Sequence, residues 1–294
     1  MISARKKREW FDRGAASFAI IRPGQFDEPT YPCPLCLTPF TINSLADGGL
    51  SAEHVPPKSF GGHELLLTCT RCNNTSGTKL DADAKKKEDV ALAMAGRADR
   101  PHRIKVMIGD LQVNGQLHAA NGTYSLQIPK KLNKPGTSER LQQLGQVGTK
   151  LTVEHERFAE LGAKISWLRS GYLALVAVAG YQLVLDPAME IVRRQILEND
   201  GRLMVTFTFE VNRDIPFSER RILQALAPEW DRGWAVQFGR YLVRFPSLGD
   251  MEFYNRLAAN VSTSIARESS FQSFEWPREP TFGLPDAKPI RGYD

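Results

Sequence analysis

Four cysteines occur in this chain, and they fall as two pairs, Cys33-Pro-Leu-Cys36 and Cys69-Thr-Arg-Cys72. Nothing else in the sequence restricts the fold as strongly. Two such pairs offer four soft thiolates, which a tetrahedral Zn²⁺ accepts at about 2.3 Å per bond with no position left open, so the site would brace rather than react. The other arrangement is four buried or disulfide-linked cysteines. Compartment separates the two. Met1 to Arg8 is basic, but Glu9, Trp10, Phe11, Asp12 and Arg13 follow where a secretory apolar region would have to be, which predicts a cytoplasmic protein. In a reducing compartment paired CxxC knuckles are zinc ligands far more often than disulfides, so structural zinc on Cys33, Cys36, Cys69 and Cys72 is expected.

Between the pairs stand Glu53-His54, then Val55-Pro56-Pro57-Lys58-Ser59-Phe60-Gly61-Gly62 and the apolar Leu65-Leu66-Leu67-Thr68; Asn73 follows the second pair directly. In this order the stretch from Tyr31 to Asp81 resembles the HNH nuclease family (ββα-metal, His-Me finger type), whose core is a short β-hairpin and a helix often stapled by two CxxC knuckles. The resemblance covers about fifty residues. It implies that Glu53-His54 ends the first strand, that the Pro- and Gly-containing loop follows, and that Asn73 opens the helix. The family's middle asparagine is missing. Glu64 stands at the aligned place, and a carboxylate accepts hydrogen bonds but cannot donate them as an amide does.

The activity implied is metal-dependent hydrolysis of nucleic-acid phosphodiesters, DNA in preference to RNA, with His54, Glu53 and Asn73 as catalytic residues. A neutral imidazole with a pKa near about 6.5 is suited to act as general base on water. Glu53 and Asn73 would supply oxygen ligands to a catalytic Mg²⁺ or Mn²⁺. Adjacent residues of a regular strand point to opposite faces, so a twist or bulge must bring Glu53 and His54 to one cleft. Lys79 is a candidate phosphate contact or an ordinary exposed helix lysine, and Asn74 a candidate helix cap. His54 has a second reading as a zinc-shell or core histidine. His63 reads as a loop histidine, and His102, His118 and His155 have no partner pattern. The competing function is a non-cleaving zinc module that binds nucleic acid or a protein partner.

With 294 residues and 42% hydrophobic content the chain can bury a sizeable core, and its net charge of +5 suits an anionic partner without requiring one. The expected fold is α+β: a small zinc-stapled ββα module in residues 1–100, and a larger α+β domain in residues 101–294 that selects substrate, dimerises or docks a partner. By analogy, HNH proteins with such an appendage occur in mobile elements and defence cassettes. Ser3 to Phe18 reads as a helix whose basic start is either solvated or a phosphate-contacting arm. Leu80 to Ala95 extends the motif's helix, Gly96 stops it, and Arg97 to His102 is a linker. Arg103 to Pro129 alternates as a β-meander with a turn at Asn121-Gly122. Leu151 to Tyr181 and Ala188 to Glu198 read as helices, Met204 to Phe209 and Trp234 to Phe245 as strands, and the last twenty or so residues as an extended tail. The apolar run Ile165 to Leu185, interrupted by Arg169 and Gln182, is too short to span a membrane and reads as a buried helix.

Overall fold

Ser3 begins the first helix as expected: its Oγ accepts from Lys6 N at 3.2 Å, capping α1 (Ala4–Ile21). The structure, a computed structural model, describes residues 2–98, 100–120, 123–144, 150–199, 208–211, 215–260, 270–283 and 288–289. Helix α1 buries Trp10, Phe11, Ala15 and Phe18, the predicted apolar side. On its exposed side Arg5 pairs with Glu9 and Arg8 with Asp12. Strands β1 (Tyr31–Pro32) and β2 (Pro39–Phe40) pair around the first cysteine knuckle. Strands β3 (Leu50–Val55) and β4 (His63–Cys69) form an antiparallel hairpin, and α2 (Thr70–Met94) starts where β4 ends. Gly96, at φ +73°, ends α2: its N–H donates to Ala93 O while Arg97 N donates to Leu92 O.

Contacts group the chain into two units, Met1–Asp81 with Lys164–Asp294, and Ala82–Ala163. This differs from two consecutive domains meeting near residue 100. The reason lies in α4 (Glu160–Ala179). From Lys164 onward it belongs to the same unit as the cysteine region, where Tyr172 Oη donates to Pro34 O at 2.8 Å.

The Ala82–Ala163 unit holds an antiparallel sheet of β5 (His102–Ile108), β6 (Leu111–Ala120), β7 (Thr123–Gln127) and β8 (Leu151–His155), in the order β7-β6-β5-β8. Ile104, Val106, Ile108, Leu111 and Val113 form its core, and Leu141 of α3 (Thr137–Leu144) packs against them. The meander is as expected; its Asn121-Gly122 turn lies outside the described residues. Leu151 to His155 is a correction. Expected as the start of a long helix, it is β8, because β5 offers a ladder partner from Ile104 to Ile108 and the Leu-Thr-Val segment suits a pleated strand.

In the other unit, α4 is buried continuously from Ile165 to Val178, as a helix apolar on all sides must be. Among the described residues no helix is long and apolar enough to cross a membrane. Helices α5 (Tyr181–Val184) and α6 (Glu190–Glu198) follow, with Asp186 Oδ1 accepting from Ala188 N between them. An antiparallel sheet combines β9 (Thr208–Glu210), β10 (Arg220–Ala227), β11 (Gly233–Phe238), β12 (Tyr241–Phe245), β13 (Ser270–Phe274) and β14 (Lys288–Pro289), in the order β14-β13-β10-β11-β12-β9; α7 (Phe253–Asn260) lies between β12 and β13 in the chain. Trp234 to Phe245, expected as one strand, is the β11–β12 hairpin, turned at Gly239 with φ +53°. Residues 204–207 of another expected strand lie outside the described residues. The tail is partly docked rather than free: Thr281 N and Phe282 N both donate to Ala177 O. The molecule is α+β.

Candidate functional site

Four sulfurs converge where the two knuckles meet. Cys33 and Cys36 sit in the loop between β1 and β2, Cys69 ends β4, and Cys72 lies in the first turn of α2. The first loop is shaped by Leu37, which adopts φ +60° and donates its N–H to Cys33 O at 2.8 Å, while Cys33 N donates to Thr38 O at 2.8 Å. Its backbone is further pinned by Tyr172 on Pro34 O and Tyr181 on Pro32 O.

All four sulfurs lie within 4.8 Å of one another, and Cys36 Sγ is 3.7 Å from Cys69 Sγ. Tetrahedral zinc with bonds of about 2.3 Å sets its sulfurs about 3.8 Å apart. Backbone N–H groups of Cys69 and Cys72 point at Sγ of Cys33 and Cys69, each at 3.4 Å, as they would toward thiolates. Such crowding forces the thiols to share protons. Cys36 and Cys69 are lowered, each first by its hydrogen bond to Cys33, Cys69 to about 6; Cys33 is raised well above the thiol range, first by Cys36. The cluster can hold a metal ion and is compatible with structural zinc.

The hairpin joined to this cluster carries the acid and the histidine. Its register runs Glu53↔Leu66 and then His54↔Glu64, so Leu65 is an extra residue on β4 and the ladder is irregular between Glu53 and His54. An irregularity was expected there; it falls on the partner strand. Burial along β3 still alternates: Glu53 and Val55 are buried, Ala52 and His54 only partly so. The His54 ring makes no hydrogen bond among the described residues.

Glu53 is 4% exposed. Its Oε2 accepts from Thr68 Oγ1 at 3.1 Å and from Arg169 Nη2 at 2.5 Å. Arg169 is fully buried and its Nε has no partner. Asp81 completes this network, its Oδ1 accepting from Ser166 Oγ at 2.7 Å. Burial pushes the carboxyls of both Glu53 and Asp81 up, against the opposing pull of Arg169. Glu53 Oε1 carries no hydrogen bond among the described residues.

Asn73 is part-buried in the first turn of α2, and its Nδ2 donates to Ser51 Oγ at 2.9 Å and Ala52 O at 3.3 Å. Its amide is thereby fastened to β3, and its Oδ1 takes no hydrogen bond. The helix opens at Thr70, so Asn74 lies inside it rather than at its cap. Lys79 is exposed. Glu64, at the place of the missing asparagine, accepts from Ile2 N at 2.6 Å.

Three basic groups gather near His54. His63 Nε2 lies 3.2 Å from Pro277 O; burial lowers its pKa, and Arg220, His54 and Lys6 add to the lowering. Arg220 donates from Nη2 to Phe60 O at 2.8 Å and from Nε to Phe217 O at 2.9 Å, anchoring the loop that follows His54. Sequence reasoning missed Arg169, Asp81 and Arg220. For Arg169 a signal existed: a lone cation inside a buried apolar helix needs a buried acid. For Arg220 there was none. Comparisons with family models, with curated proteins and with solved structures find no match to this chain.

Proposed function

We propose that the region from Tyr31 to Asp81 is a zinc-stapled module of HNH type that hydrolyses nucleic-acid phosphodiester bonds, DNA in preference to RNA. The observation that carries this reading is the partly exposed His54 ring, free of hydrogen bonds, on a hairpin whose following helix is tied to it by the four-sulfur cluster and by Asn73. His54 acts as the general base: its neutral imidazole takes the proton from the attacking water. Structural Zn²⁺ on the four cysteines fixes the hairpin. Glu53 Oε1 and Asn73 Oδ1 are the two oxygens that would hold a divalent cation, Mg²⁺ or Mn²⁺. Bound there, that ion supplies charge to polarise the phosphoryl group and stabilise the departing oxygen. Arg169 and Thr68 orient the Glu53 carboxylate, Ser51 and Ala52 orient the Asn73 amide, and Arg220 holds the loop beyond His54. Lys79, Lys6 and the basic surroundings of His63 favour an anionic substrate.

A second reading, a non-cleaving zinc module that binds nucleic acid or a protein, draws on one observation. Glu53 is already neutralised by a buried guanidinium, whose charge opposes a further cation beside it. Supercoiled plasmid, linear duplex, single-stranded DNA and RNA incubated with the protein in Mg²⁺ or Mn²⁺ separate the two. Cleavage that stops on chelation of the divalent ion supports the nuclease. Salt-dependent binding without cleavage under any divalent ion supports the second reading.

A further inference from the structure

In the Ala82–Ala163 unit two histidine rings meet. His102 opens β5 and His155 closes β8; Ile104 pairs with His155, so both rings lie on the sheet face that carries the buried Ile104, Val106 and Ile108. Their ring centroids are 5.3 Å apart. Nε2 of His102 and Nδ1 of His155 are both buried without a hydrogen-bond partner. Desolvating an imidazole nitrogen without a partner is unfavourable, and two such atoms on touching rings call for a common ligand.

Size and charge indicate which ligand. Two imidazoles on one tetrahedral ion, at metal–nitrogen bonds of about 2.0–2.1 Å, have ring centres about 5 Å apart, so the rings already have that spacing. Burial, and then His155, lowers the pKa of His102, which keeps its ring in the neutral form that ligates metals. Two carboxylates act on the same ring, Asp89, which Lys85 holds, and Glu156, whose Oε1 is 2.8 Å from Lys86 Nζ. His118 also has a buried, unpartnered Nε2, but it follows Leu117, the residue paired with His102, and strand alternation turns it to the other face.

We propose that His102 and His155 form a second metal site, separate from the cysteine cluster, that takes a borderline dication of the Zn²⁺ class with a carboxylate of Asp89 or Glu156 and water completing the shell. The ligand types differ between the two sites, and this makes them separable by experiment. Metal-free full-length protein is titrated with Co²⁺ under reducing conditions, following the strong near-ultraviolet bands of thiolate ligation and the weak visible bands of nitrogen and oxygen ligation. The expected result is two equivalents bound. His102→Gln and His155→Gln should each drop the count to one with the thiolate bands unchanged, while His118→Gln keeps two. A wild-type protein that binds a single equivalent, or Gln variants that still bind two, overturns the proposal. Should a variant fail to fold, seen as lost thiolate bands, the wild-type count and the remaining variant decide.

Discussion

Arg169 and the acids around it carry the strongest single-residue consequences. One guanidinium, 1% exposed, stands against Glu53, with Asp81 within electrostatic reach, and removing it leaves a buried carboxylate without its partner. Arg169→Met should therefore destabilise the zinc-loaded protein by about 3–5 kcal/mol, measured by denaturant unfolding; a loss within experimental error would show that the pair is dispensable. Asp81 predicts a pH effect of unusual sign. Its folded-state pKa is raised, so its contribution to stability is fully present below the unfolded carboxyl value of about 3.9 and is lost as pH rises through the folded value. Asp81→Asn does not titrate. The stability of wild type relative to this variant should fall as pH rises through that window and then level off, and a difference that grows with pH would contradict the burial account. Little of this was legible in the sequence. Glu53 stood out through its neighbour His54, but its partner lies 116 positions along the chain, and no local spacing announces such a pair.

Elements were legible where local chemistry decided them. Hairpin, loop and helix could be placed around Glu53-His54 and Asn73 because the knuckles bracket them, and Ser3 and Gly96 marked the ends of α1 and α2 as caps do. Strand β8 was misread because a helix-spaced apolar stripe begins a few residues later, and only pairing with β5 decides for a strand. The loop from Val55 to His63 is tightly closed. A Cβ on Gly62 would lie 1.5 Å from Pro56 O, a backbone atom that cannot yield without moving the loop. Gly62→Ala should cost about 1–3 kcal/mol and depress cleavage while leaving zinc content unchanged, checked by thermal melting beside metal analysis. Retained activity with an unchanged melting point would mean that the loop's conformation does not position His54.

Across the whole molecule the segments before Asp81 and after Lys164 form one unit, and the chain between them builds its own sheet. A sequence reading that divides the chain into consecutive pieces cannot foresee that return, because it rests on contacts such as Tyr172 with Pro34 and Thr281 with Ala177. The cysteine cluster lies at this junction of early and late segments. Stripping the metal should therefore lower the melting temperature of the whole Met1–Asp81 and Lys164–Asp294 unit in a single transition, whereas loss of a small separate transition would show that the cluster stabilises only its own hairpin. The central claim, that His54 removes a proton from water within a zinc-held frame, is tested most directly by nicking of supercoiled plasmid in Mg²⁺ or Mn²⁺. Wild type and His54→Ala are compared at equal zinc content and equal melting temperature. Nicking by wild type and none by the variant is the predicted result; equal nicking by both, or none by either with any divalent ion, would contradict it.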